Sequence, residues 1–144
     1  MTRDCGAAGG DIMILPCSGG SNTGQMANQA AVELTGEGFG KMYCLAGIGG
    51  RLPGFVQAAQ DAGRMIVIDG CEIGCGKATL ENAGVGLKNH LVVTELGLEK
   101  NTNLDLDRAG VDLVKEAVRM AFNRPVSPSA LPRLSGAGGC NCRG

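Results

Sequence analysis

Two short apolar runs, each broken by glycine, constrain the fold more than any other feature of this chain. Arg64-Met65-Ile66-Val67-Ile68-Asp69 sets four apolar residues in succession, three of them β-branched, and stops at Gly70. Asp11-Ile12-Met13-Ile14-Leu15-Pro16 lies between Gly9-Gly10 and Cys17-Ser18-Gly19-Gly20. Both are too short for a helix and apolar at successive positions rather than alternate ones. That is the pattern of a strand covered on both faces, as parallel sheets are.

Helical periodicity fills the intervals. After Ser21-Asn22, either of which can cap, Thr23 to Glu37 carries Met26, Ala27, Ala30, Ala31 and Leu34 at helical spacing. Phe39 to Leu45 reads as a second strand and Gly47 to Gly50 as a glycine loop. Pro53 opens a helix running to about Ala62. Gly70 to Gly76 forms a turn, Lys77 to Ala83 a short helix and His90 to Thr94 a fourth strand. A polar loop from Glu99 to Asn103 leads to a helix from Leu104 to Asn123, with Leu106, Leu113, Val114, Ala117, Val118 and Ala121 on one face. Alternation of this kind predicts an α/β fold: a three-layer Rossmann-like or flavodoxin-like domain, its parallel sheet of about four strands having strand one between strands two and three. The domain is expected over residues 11–124, with a flexible leader at 1–10. Pro125, Pro128, Pro132 and the glycines near 136–139 predict a flexible tail over 125–144, ending in Cys140-Asn141-Cys142.

Composition removes several function classes. Aromatic residues are 3% of the chain and Trp is absent, so the core must be aliphatic and stacking on bases has nothing to work with. A net charge of −1 gives no basic footprint for a phosphate backbone, so no nucleic-acid partner is expected. No apolar stretch approaches the ~20 residues of a membrane span, and the first residues do not read as a signal peptide. The expected setting is cytoplasmic, where thiols stay reduced. Seven cysteines, an odd number, argue against a closed disulfide framework and toward metal or thiol chemistry.

Four of the cysteines fall where such a fold puts its sites, just past the carboxyl ends of strands. Cys17 follows strand one, Cys44 ends strand two, Cys71 follows strand three by two residues, and Cys75 comes one helical turn later. Four thiolates suit tetrahedral zinc, an iron–sulfur cluster or a softer ion such as Cu(I). Cys44, in a strand, is also read as a small buried core residue. Cys71-x-x-x-Cys75 is not the C-x-x-C of zinc ribbons or redox motifs.

Cys17-Ser18-Gly19, Ser21-Asn22-Thr23-Gly24-Gln25, Cys44-Leu45-Ala46-Gly47, Asp69-Gly70-Cys71 with Cys75, and Thr94-Glu95-Leu96-Gly97 together resemble the DGC domain family, named for its Asp-Gly-Cys tripeptide. The resemblance runs from about Ile12 to Lys100. Family members are described as zinc-binding proteins with four characteristic cysteines. The resemblance therefore implies zinc as cofactor and Cys17, Cys44, Cys71 and Cys75 as metal ligands, and it implies no reaction.

Other residues give weaker expectations. The loop after Cys17 lacks the Cys-x5-Arg of small phosphatases, because Thr23 stands at the sixth position. Gly47-Ile48-Gly49-Gly50 is not a dinucleotide fingerprint, since Leu52 occupies the third glycine position. Asp69 and Glu95 sit near strand ends, where they could support ligands or accept protons, and Asp69 could equally cap the loop after it. Lys77, two residues from Cys75, could offset thiolate charge. His90 begins strand four and is expected at the edge opposite the cysteines. Cys5 lies in the leader. Cys140 and Cys142 form a tethered pair suited to a soft metal.

The expected function is that of a cytoplasmic metal-binding protein engaged in metal handling or sensing, with the metal ion and a protein partner for metal or redox exchange as its partners. One alternative is a thiol-redox enzyme using Cys17 with Cys71 or Cys75. A further alternative is an iron–sulfur protein.

Overall fold

A computed structural model describes residues 11–123. The leader at 1–10, with Cys5, and the tail at 125–144, with Cys140 and Cys142, lie outside the described residues. Four strands, β1 (Ile12–Pro16), β2 (Lys41–Met42), β3 (Arg64–Asp69) and β4 (His90–Val92), form one sheet in the order β2-β1-β3-β4. All pairings are parallel: Ile14 stands beside Ile66, Met13 beside Lys41 and Ile68 beside Leu91. The three-layer α/β architecture follows, with strand one between strands two and three.

Alternate residues of the two central strands feed two separate cores. Ile12, Ile14, Ile66 and Ile68 face α1 (Asn22–Gly36) and α5 (Arg108–Asn123), where they meet Ala27, Leu34, Val114 and Val118. Leu15, Met65 and Val67 face α2 (Leu45–Gly49), α3 (Pro53–Asp61) and α4 (Cys75–Asn82), where they meet Ile48, Ala59 and Leu80. Because β1 and β3 are covered on both sides, Ile12–Pro16 and Met65–Ile68 are apolar at successive positions.

Element boundaries depart from the sequence reading where a side chain competes with the backbone. Ser21 caps α1 by accepting from the Gly24 amide at 3.1 Å. The strand expected over Phe39 to Leu45 shrinks to Lys41–Met42 at the sheet edge. The expected glycine loop is instead the one-turn helix α2, capped by Cys44 and anchored by buried Ile48. The last helix starts at Arg108 rather than Leu104. Asn101 and Asn103 accept from the amides of Asn103 and Asp105, forming side-chain turns that keep this stretch from coiling. After β4 the chain makes a 3₁₀ turn over Val93–Leu96, ended by Gly97 at φ +89°.

Candidate metal centre

The carboxyl ends of β1, β2 and β3 deliver all four predicted cysteines to one edge of the sheet. The loops there touch backbone to backbone. A Cβ on Gly70 would stand 2.5 Å from the Gly24 nitrogen, so only glycine lets the end of β3 reach the first turn of α1. All four thiols are free; Cys17 and Cys71 are half-buried, and Cys44 and Cys75 are exposed. Cys44 is therefore no core residue.

Each sulfur meets hydrogen-bond donors or a helix start. The Cys17 thiol takes hydrogen bonds from the amides of Gly70 and Gly19. Cys44 Sγ accepts from the Gly47 amide at 3.3 Å. Lys100 Nζ donates to Cys71 Sγ at 3.3 Å. Cys75 is the first residue of α4, where the helix presents its positive end. Burial pushes the Cys17 thiol above its ordinary value; the two amides oppose this, while the charges of Asp69 and Cys75 add to it.

Asp69 organises the edge from beneath. Its fully buried carboxylate accepts from the amides of Gly76 at 2.7 Å and Lys77 at 3.1 Å, the first turn of α4. Its second oxygen also lies 2.7 Å from His90 Nε2. The capping reading of Asp69 thus holds, on α4. His90 is a correction: β4 enters the sheet opposite Val67, late along β3, so its first residue stands two positions from the carboxyl end and reaches Asp69. Lys77 pairs with Glu81 along its own helix at 3.9 Å. Arg51, exposed at φ +56°, donates to the Asn82 carbonyl at the end of α4.

The cation that does reach a cysteine is Lys100, which the sequence reading passed over. Its signal is its place in the loop that follows strand four and the 3₁₀ turn Val93–Leu96, on the carboxyl side of the sheet. A second residue missed was Asn22. Its amide and side chain hold the carbonyl of Glu99 and both backbone groups of Asn101.

Four free thiols on one edge suit a borderline or soft ion in donor chemistry. Among the described residues, no three of Cys, His, Asp and Glu are gathered into one coordination group, so binding through all four cysteines would draw their loops together. Also among the described residues, no helix is long and apolar enough to cross a membrane.

The DGC domain family matches residues 13–118, a span that includes all four cysteines and Lys100. The Anaerobic and virulence modulator AnvM of Pseudomonas aeruginosa is 35% identical over 95 residues, covering 66% of this chain and 72% of that protein. No solved structure matches. On the extent of the family match and this identity, the chain belongs to the DGC domain family.

Proposed function

We propose that this protein binds a transition-metal ion, zinc in first place, on the thiolates of Cys17, Cys44, Cys71 and Cys75. The observation that carries the reading is that three of the four sulfurs accept hydrogen bonds and the fourth starts a helix. Such donors stabilise sulfur that carries negative charge, and thiolate is the form that binds metal. A bound cation would supply the remaining compensation and displace the Cys17 proton that burial retains.

The same burial weighs against Cys17 as an activated nucleophile, which requires a thiol shifted the other way. The aliphatic double core does not need a metal in order to fold. Placement at the functional edge of the sheet therefore supports metal handling or sensing, in a reducing cytoplasm and with a protein partner for exchange. Sensing accords with a relative named a modulator.

Anaerobic purification followed by elemental analysis tests the proposal. About one zinc per chain is expected, with sharp loss in Cys17→Ser, Cys71→Ser or Cys75→Ser and none in Cys5→Ser. Metal retained after loss of both Cys71 and Cys75 overturns it. A visible chromophore with iron would move the assignment to an iron–sulfur centre. Reversible disulfide formation in a protein that takes up no metal would move it to thiol-redox chemistry.

A further inference from the structure

We infer that Lys100 is the counter-charge of the thiol edge, directed at Cys71 and held in position by Asn22. The inference rests on the reading that these cysteines work as thiolates. Asn22 opens α1 and is 6% exposed. Its backbone amide donates to the Asn101 carbonyl at 3.0 Å, its Nδ2 to the Glu99 carbonyl at 2.8 Å, and its Oδ1 accepts from the Asn101 amide at 2.6 Å. The backbone on both sides of Lys100 is thereby fixed to a helix 77 to 79 positions away in sequence. An amide side chain supplies a donor and an acceptor side by side, as this double contact uses them.

From that fixed backbone, exposed Lys100 turns to a half-buried sulfur, with its Nζ 3.3 Å from Cys71 Sγ. A second tie runs in parallel, from the Thr94 hydroxyl to Glu72 Oε2 at 3.4 Å. Glu72, Glu95 and Glu99 are exposed on the same stretches of chain. A neutral thiol is a weak acceptor, and the contact gains its value when Cys71 is a thiolate or part of an anionic metal–thiolate group. Asn22 acts through Lys100 and is a positioning residue.

The test uses the full chain, reduced and stripped of metal by chelator, at low ionic strength. Cys71 and Cys44 are alkylated in parallel by iodoacetate, which is anionic, and iodoacetamide, which is neutral, with site-resolved mass spectrometry. The ratio of the two rates cancels each thiol's ionisation and reports local charge. In Lys100→Gln the iodoacetate preference at Cys71 should fall by about three-fold, with Cys44 unchanged, while Lys100→Arg should retain it. Asn22→Ala should lower the Cys71 ratio toward that of Lys100→Gln. An unchanged Cys71 ratio in Lys100→Gln, or an equal fall at Cys44, overturns the assignment. Zinc content of the untreated protein is measured separately: a fall at Cys71 in a chain that never holds metal would keep Lys100 and refute the metal.

Discussion

His90 Nε2 and Asp69 Oδ2 lie 2.7 Å apart, joining the first residue of β4 to the last residue of β3. The same buried carboxylate also caps α4, so one side chain ties together two strands and the helix that begins with Cys75. Asp69→Ala should leave the Gly76 and Lys77 amides and the imidazole without their acceptor. We expect a loss of about 3 kcal/mol in urea unfolding, against about 1 kcal/mol for His90→Ala, which keeps both amide bonds.

The contact of Gly70 with the start of α1 should tolerate no side chain. Gly70→Ala places a methyl group 2.5 Å from the Gly24 nitrogen and 2.7 Å from its Cα, and both are backbone atoms that cannot rotate away. Destabilisation of about 3 kcal/mol is expected by chemical denaturation. Gly54→Ala, with open space around the added carbon, should stay within about 0.5 kcal/mol.

Acid should find the seam between α1 and α5. Glu33 accepts from Arg108 and Lys115, and Glu37 from Lys115 and Arg119. Arg108, then Gln29, holds the Glu33 carboxyl down at about 2, from an ordinary value of 4.5. A carboxylate lowered on folding contributes stability above its unfolded value and loses it as pH falls through the folded one. Stability should therefore decline between about pH 5 and pH 2. Glu33→Gln should be less stable at neutral pH and show a flatter decline in the same urea titrations.

Alkylation of the metal-free chain should separate the thiols by pH. Because burial raises Cys17 above its ordinary 9.0, its rate with iodoacetamide should go on rising beyond pH 9. At neutral pH Cys17 should be slower than the exposed Cys44 and Cys75. Fast labelling of Cys17 at pH 7 would revive its candidacy as a nucleophile.

Chelation should lower the melting temperature without unfolding the chain at 25 °C. Metal present at 100 times its Kd would stabilise the protein by about 2.7 kcal/mol, and this would vanish on removal. Circular dichroism before and after chelation checks both parts; collapse of the signal would make the ion a folding requirement. Acidification should release metal as protons compete for the thiolates.

Much of this was legible in the sequence because central strands write their burial directly. Ile12 to Leu15 and Met65 to Ile68 are apolar on both faces, and their order placed Cys17 and Cys71 on one edge. The edge strand Lys41–Met42 carries no such mark, since little covers it. The helix α2 was hidden behind Gly47 and Gly49, poor helix formers, and behind a sulfur cap that no simple rule anticipates. His90 was misplaced because its position depends on register, which pairs it with Val67 rather than Arg64. Lys100 and Asn22 act across dozens of residues, and no local pattern announces such a contact.

The two cores also differ in the length of the helices that cover them. The face under α1 and α5 is closed by helices of 15 and 16 residues, whereas α2, α3 and α4 have only 5, 9 and 8. Short helices hold little stability of their own, so amide hydrogens on that face should exchange at lower opening free energies. Cys44 and Cys75 ride on the short helices, while Asn22 and the segment bearing Lys100 are fastened to α1. On that expectation the thiol edge runs between the half closed by long helices and the half closed by short ones. An ion shared by all four sulfurs would rivet the two, slowing exchange in α2 and α4 and making occupancy readable as rigidity on one side of the molecule alone.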